Sequence, residues 1–282
     1  MKVISFSLWG DNPKYTVGAF KNAQLTNTIY KGWISRFYCA SSVPADIISE
    51  LKNIPNCEVI LMEQDGWQGL FWRFLAASDS QVSVMISRDT DSRLTLREKE
   101  AVDEWIDSDK KFHIMRDHPL HDCEILGGLW GVKAPFLHNM DRLIATYNKD
   151  VTKGTDQMFL REIIYPIVKD EAFVHDPFFE KKPFPSKRVG YQFVGEIYLN
   201  DGPSEGPYYH TLLKRYNGFS RFFKNYHLPF LSARRSVFQK LLDYLVKLVI
   251  HSNRYSLEVI FKKLLLKKFR AVGYTPKKDI GL

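Results

Sequence analysis

QVSVMISRDTDSR, running from Gln81 to Arg93, is the stretch on which the reading of this chain turns. Gln81 to Ile86 is an apolar run of the kind a central parallel strand needs when both of its faces are covered. Directly after it stand Asp89 and Asp91, two carboxylates two residues apart at a point where the backbone is leaving the sheet. Such a pair can turn toward one cation, and hard oxygen ligands suit Mg²⁺ or Mn²⁺, which keeps positions open for phosphate oxygens. An Asp-x-Asp in isolation is more often a solvated turn; its place at a strand end is what gives it weight.

Working back toward the N-terminus, Lys2 to Leu8 reads as a buried first strand. A polar loop with Pro13 follows, then a helix from Tyr15 to Tyr30, a strand at Ser35 to Cys39, a helix from Val43 to Lys52 with Pro44 in its first turn, and a strand at Cys57 to Met62. Phe71 to Ala77 reads as a further helix. Beyond the acid pair come an acidic helix (Leu96 to Ser108), a strand (Phe112 to Met115), a glycine-rich turn into a strand (Gly127 to Val132), and helices around Pro135 to Asn148 and Gly154 to Ile164. Alternation of this kind predicts an α/β fold with a mostly parallel sheet flanked by helices, its ligands outside the carboxyl ends of the strands. Asp176 to Ser186, with three prolines, reads as a boundary or active-site loop.

Composition narrows the classes. In 282 residues, 45% hydrophobic and 14% aromatic content with 16 Gly and 13 Pro excludes disordered, collagen-like and low-complexity chains. The net charge of +8 is unevenly placed: from Thr211 onward there are 16 Lys and Arg against three acids, and before it 24 against 29. The first 210 residues are thus acidic, which speaks against a nucleic-acid partner. Two regions are expected, a catalytic domain over 1–207 and a basic helical extension over 208–282. Within the extension, Ser236 to Arg270 sets apolar residues at helical spacing among lysines and arginines, a pattern that suits helices packed on the domain or lying on an anionic membrane. Cys39, Cys57 and Cys123 form no paired motif and read as free thiols. The apolar start of MKVISFSLWGDN is too short for a signal peptide, so a cytoplasmic protein is expected, peripheral at the inner face of a membrane if the tail binds there.

The order of these elements resembles the GT-A glycosyltransferases, a Rossmann-like fold, and among them the glycogenin-like (family 8-like) galactosyl- and glucosyltransferases. The resemblance is carried by Phe71-Trp72-Arg73-Phe74-Leu75, the strand QVSVMIS, Asp89-Thr90-Asp91, Gly127-Gly128-Leu129-Trp130-Gly131, Asp156-Gln157, His175 and Lys182-Pro183-Phe184, and covers roughly Met1 to Phe184. Met115 to Lys133 is also similar to proteins encoded near bacterial and large-virus surface-glycan genes.

The resemblance implies a transferase that moves a sugar from a nucleotide-sugar donor, a UDP-sugar by preference, to a surface polysaccharide or glycoconjugate. It implies that Asp89, Asp91 and His175 hold the metal and that Arg73 and Lys182 contact the nucleotide sugar. Gly127 and Gly128 would line the donor-sugar pocket, with Asp156 and Gln157 beside the reacting sugar. Arg88, next to the acid pair, joins the cofactor-binding candidates, as do Asp11 and Tyr15, which follow the first strand where a base or ribose would lie. Asp156 has a second reading as a helix cap, and Asp117 and His118 read as contacts from a polar loop. Trp67 and Trp72 are candidates for stacking or for the core. The alternatives are a non-catalytic glycan- or membrane-associated protein with a degenerate transferase fold, and a haloacid-dehalogenase-like phosphatase with Asp89 as nucleophile.

Overall fold

The computed structural model describes residues 1–147, 149–199, 202–203, 210 and 213–214. Met1–Gly206 form one compact unit, divided from Pro207–Leu282. The basic stretch from Ser236 to Arg270, with its expected helices and membrane contact, lies outside the described residues. Among those described, no helix is long and apolar enough to cross a membrane.

A seven-stranded sheet organises the first unit. Its strands are β1 (Lys2–Leu8), β2 (Ile34–Cys39), β3 (Cys57–Leu61), β4 (Val84–Ser87), β5 (Phe112–Met115), β6 (Trp130–Lys133) and β7 (Ala172–His175), in the order β3-β2-β1-β4-β6-β5-β7. β3, β2, β1 and β4 pair in parallel, as do β5 and β7, while β6 runs antiparallel between β4 and β5. The mostly parallel sheet is therefore the expected one, with a single reversed strand.

β1 is buried on both faces because both are covered, with Ile4, Phe6 and Leu8 on one and Val3, Ser5 and Ser7 on the other. Val3 joins a cluster with Trp72, Phe74, Met85, Phe112, Trp130 and Phe159, while Ile4, Phe6 and Leu8 join one with Phe37, Ile86, Val102 and Trp105. α1 (Pro13–Ile29) and α4 (Leu96–Asp107) contribute to the second cluster. Both helices begin on side-chain caps: Asn12 accepts from the Lys14 N–H, and Thr95 from that of Glu98. α2 (Ala45–Lys52) starts behind Pro44, whose missing N–H costs nothing at a helix start.

Three expected helices differ, each for a local reason. The one over Phe71 to Ala77 breaks into α3 (Gly69–Trp72) and a 3₁₀ turn (Leu75–Ser78). Here the Arg73 N–H donates to Ser7 Oγ on β1, and the Phe74 and Ala77 N–H groups bond three residues back. The helix expected over Pro135 to Asn148 is confined to α5 (Met140–Thr146), since Phe136 and His138 make turns first. The helix from Gly154 becomes α6 (Thr155–Phe159), a π turn (Leu160–Ile164) and α7 (Tyr165–Val168). Pro166 follows that turn; it has no N–H to donate, and its ring crowds the carbonyl four residues earlier. Finally, β8 (Tyr198–Leu199) and β9 (Gly202–Pro203) form a small antiparallel pair, and Tyr198 donates its N–H to the Asp91 carbonyl.

Candidate active site

A cleft of about 540 Å³ opens at the carboxyl ends of β1 and β4, lined among others by Trp9, Tyr15, Trp67, Arg73, Asp89, Asp91, Gly127, Gly128, Asp156 and Gln157. Residues from widely separated parts of the sequence therefore meet here. The short turn of α3, tied to Ser7, aims Arg73 into the cleft. Its guanidinium bridges two acids, with Nη1 2.9 Å from Asp89 Oδ1 and Nη2 2.7 Å from Asp156 Oδ2. On the other side of the acid pair, Lys14 Nζ lies 2.8 Å from Asp91 Oδ2.

The loop bearing the acid pair is held from below. Asn22, fully buried on α1, donates through Nδ2 to the carbonyls of Thr90 (3.3 Å) and Ser92 (2.8 Å) and accepts from the Leu94 N–H at 3.1 Å. One turn earlier, Gly18 allows the helix to approach: a Cβ there would sit 1.9 Å from the Thr90 carbonyl oxygen. Asn22→Ala is expected to lower stability by about 2–3 kcal/mol, because burying unpartnered backbone groups costs about 1–3 kcal/mol. The shift in the urea unfolding midpoint measures it.

The glycine turn closes the cleft from the β6 side. Ser87 Oγ donates to the Gly127 carbonyl at 2.7 Å, so the turn is pinned to the end of β4. A Cβ on Gly128 would lie 2.1 Å from Asp89 Oδ2 and 2.9 Å from the Asp89 backbone nitrogen; one on Gly127 would lie 2.4 Å from Arg73 Nη2. Gly128→Ala must therefore displace Asp89, and is expected to weaken any metal-dependent ligand binding about tenfold or more, as read by calorimetric titration.

Electrostatically the site is acidic and partly dehydrated. Burial raises the Asp156 pKa above the usual carboxylate range, with Arg73 opposing and Asp89 reinforcing the rise. Asp91 is raised too, first by burial and then by Asp89, against the pull of Lys14 and Arg73. Each acid of the pair keeps one oxygen outside these ion pairs, Asp89 Oδ2 and Asp91 Oδ1. No group of three or more His, Cys, Asp or Glu side chains suited to a metal occurs among the described residues. A two-carboxylate set fits a hard octahedral ion that takes its remaining oxygens from water and substrate.

Several candidates lie elsewhere. His175 is buried on β7, its Nδ1 2.8 Å from His113 Nε2 and its Nε2 3.0 Å from Glu104 Oε2, away from the acid pair. Arg88 points the other way from Asp89: its Nε meets Glu98 Oε1 at 2.5 Å and its Nη1 donates to the Ser87 carbonyl. Side chains of successive extended residues face opposite ways, so the neighbour of a cleft residue belongs to the core. Lys182 is exposed, paired with Glu180 at 2.8 Å, and does not line the cleft; nor does the exposed Asp11. Tyr15 does, half-exposed, and Trp67 with it, whereas Trp72 is core.

Asp117 and His118 are both fully buried. Asp117 accepts from Arg97, from Arg188 and from the Val194 N–H, and burial notwithstanding these partners hold its pKa below the usual range. The cleft is reached instead by His121 from the same loop, by Lys153 just before α6, and by Trp9. Nothing in the pattern HPLH marks its second histidine over its first. The three cysteines are free, and burial pushes the Cys39 thiol up to about 12.

No family model matches the chain, and no curated protein matches it in sequence. Solved structures with similar folds include a glycosyltransferase involved in the glycosylation of the major capsid of PBCV-1, at 16% identity over 62% of this chain and 81% of that one, TM-score 0.42. The galactosyltransferase LgtC in complex with donor and acceptor sugar analogs matches at 12% identity over 63% and 74%, TM-score 0.43. A third is 4-diphosphocytidyl-2C-methyl-D-erythritol synthase from Anaerococcus prevotii, at 10% identity over 66% and 92%, TM-score 0.43. Overlaps this partial carry no weight for function.

Proposed function

We propose that the chain is a metal-dependent GT-A glycosyltransferase that moves a sugar from a nucleoside-diphosphate sugar, a UDP-sugar by preference, to a glycan acceptor. The observation that carries this reading is the Asp89–Arg73–Asp156 bridge, set beside Asp91 in one cleft at the strand ends. Asp89 and Asp91 would hold Mn²⁺ or Mg²⁺ through the two oxygens left outside their ion pairs. The ion, when bound, supplies charge neutralisation of the departing diphosphate.

The chain's own residues do the rest. Arg73 orients Asp89 and Asp156 at once, and its charge, with that of Lys153, faces an anionic ligand in the cleft. Lys153 lines the cleft, whereas Lys182, to which the resemblance gave the diphosphate contact, does not. Asp156, paired with Arg73, stands with Gln157 where a carboxylate can meet positive charge developing on the reacting sugar. Trp9, Tyr15 and Trp67 offer aromatic surface for a base. A glycan acceptor, lipid-linked if the basic tail meets an anionic membrane, completes the reaction.

Calorimetric titration of the purified protein with UDP and GDP, with and without Mn²⁺, tests the reading. Binding of one nucleotide that requires the metal is the expected result. If neither nucleotide binds under either condition, the cleft is not a donor site.

A further inference from the structure

The sheet order gives the cleft a direction. Trp67 follows β3, Trp9 follows β1, Asp89 follows β4 and His121 follows β5, and these strands lie in that sequence across the sheet. A nucleoside-diphosphate sugar with its diphosphate at Asp89 and Asp91 and its base at the aromatic end carries its sugar toward His121, Leu126 and Gly128.

His121 is fixed in one chemical form. Its Nδ1 accepts from the Asp117 backbone N–H at 3.1 Å, so the ring proton resides on Nε2. Asp117 is itself immobilised by Arg97, Arg188 and the Val194 N–H, which makes the acceptor role of Nδ1 a fixed feature of the loop. Burial, reinforced by neighbouring His118, lowers the His121 pKa to about 3, which favours the neutral imidazole. Nε2 has no hydrogen-bond partner among the described residues, yet it is not sealed in the interior. His121 is among the residues that line the cleft.

We propose that His121 is a specificity-determining residue, donating its Nε2–H to an oxygen of the sugar that the cleft holds. This rests on the glycosyltransferase reading. A cationic donor at this place would be drawn toward Asp89, Asp91 and Asp156. A neutral one reads the orientation of a hydroxyl and leaves the acid pair undisturbed. A cleft built to hydrogen-bond a particular hydroxyl discriminates against sugars that lack or invert it, because the donor is then left unpartnered.

The experiment compares wild type, His121→Leu and His121→Gln, each with Mn²⁺. For each it measures the inhibition constant of UDP and kcat/KM for UDP-glucose, UDP-galactose and UDP-N-acetylglucosamine. The leucine variant is expected to lose about tenfold in kcat/KM for the preferred donor, the worth of one hydrogen bond, and to discriminate less among the three sugars. UDP inhibition stays within about twofold, and glutamine, which retains an N–H donor, restores part of the loss. UDP affinity falling in parallel with kcat/KM would overturn the proposal, as would unchanged kcat/KM and sugar preference.

A long-range ¹H–¹⁵N spectrum of the wild-type protein adds a readout that needs no variant. The His121 Nε2 signal should respond to a UDP-sugar and not to UDP; a signal from the Nδ1–H tautomer overturns the assignment. Failure of wild type to bind any nucleoside diphosphate is a different result, and strikes the glycosyltransferase reading itself.

Discussion

Asp89→Asn combined with Asp91→Asn is expected to abolish metal-dependent nucleotide binding and to lower sugar transfer by about a thousandfold, some 4 kcal/mol of transition-state stabilisation. The asparagines keep the shape of the loop while removing both anionic ligands. Arg73 would keep Asp156 and lose Asp89, and Lys14 would lose Asp91. Because Asp89 and Asp91 repel one another and Asp91 is buried enough to have a raised pKa, the double variant relieves that repulsion in the metal-free protein. Its melting temperature is therefore expected to equal or exceed that of wild type. This combination, lost binding with retained or increased stability, separates a ligand role from a structural one. Titration with UDP and Mn²⁺ beside a thermal melt measures both; undiminished binding would show that the acid pair is a turn and nothing more.

Acidification gives the second large effect, on stability. His113, His121 and His175 all have pKa values lowered by burial: His113 well below its usual range, His121 to about 3, and His175 in the same direction against the pull of Glu104. In the unfolded chain each titrates near 6.5, so below that pH the unfolded state binds protons that the native state refuses. Their contribution to stability is complete above the unfolded pKa and is lost as pH falls below it, by up to about 1.4 kcal/mol per unit for each group.

Asp91 and Asp156 act in the opposite sense. With folded pKa values raised, they favour the native state more as pH falls through those values. Between pH 7.5 and 5.5 the histidines dominate, and His113 and His121 alone amount to on the order of 3 kcal/mol. Urea unfolding at pH 7.5 and 5.5 measures the loss. A flat profile would mean that these rings are already charged or already solvated in the folded protein.

Much of the layout was legible because it depends on short-range pattern. The apolar β1, the strand before Asp89 and the alternation of elements follow from local hydrophobicity, and they suffice to put the carboxyl ends of β1 and β4 together. Asp156 and Arg73 were named from the order of motifs, and the structure shows their link as a direct ion pair. What the sequence withheld depends on packing between distant segments. Asn22 looks like any polar helix residue until α1 lies against the Thr90 carbonyl.

His118 and His121 differ in which of them the loop after β5 turns inward, and that is decided by Asp117 and the arginines it gathers from positions 97 and 188. Arg88 illustrates a signal present and unused. Counting faces along the strand would have sent it toward Glu98 and Tyr30, where it is buried.

The order of strands along the cleft also has a consequence for redesign. The aromatic surface is hung on the loops after β1 and β3, and the histidine end on the loop after β5, with the acid pair between them. The two ends of the cleft thus stand on separate segments of chain. Asp117 marks where a graft must begin, since its grip on Arg97, Arg188 and the Val194 amide is the hinge-pin for everything that follows. A replacement for residues 118–126 that leaves that grip intact leaves the acid pair, the aromatic side chains and their supporting strands in their own segments of chain.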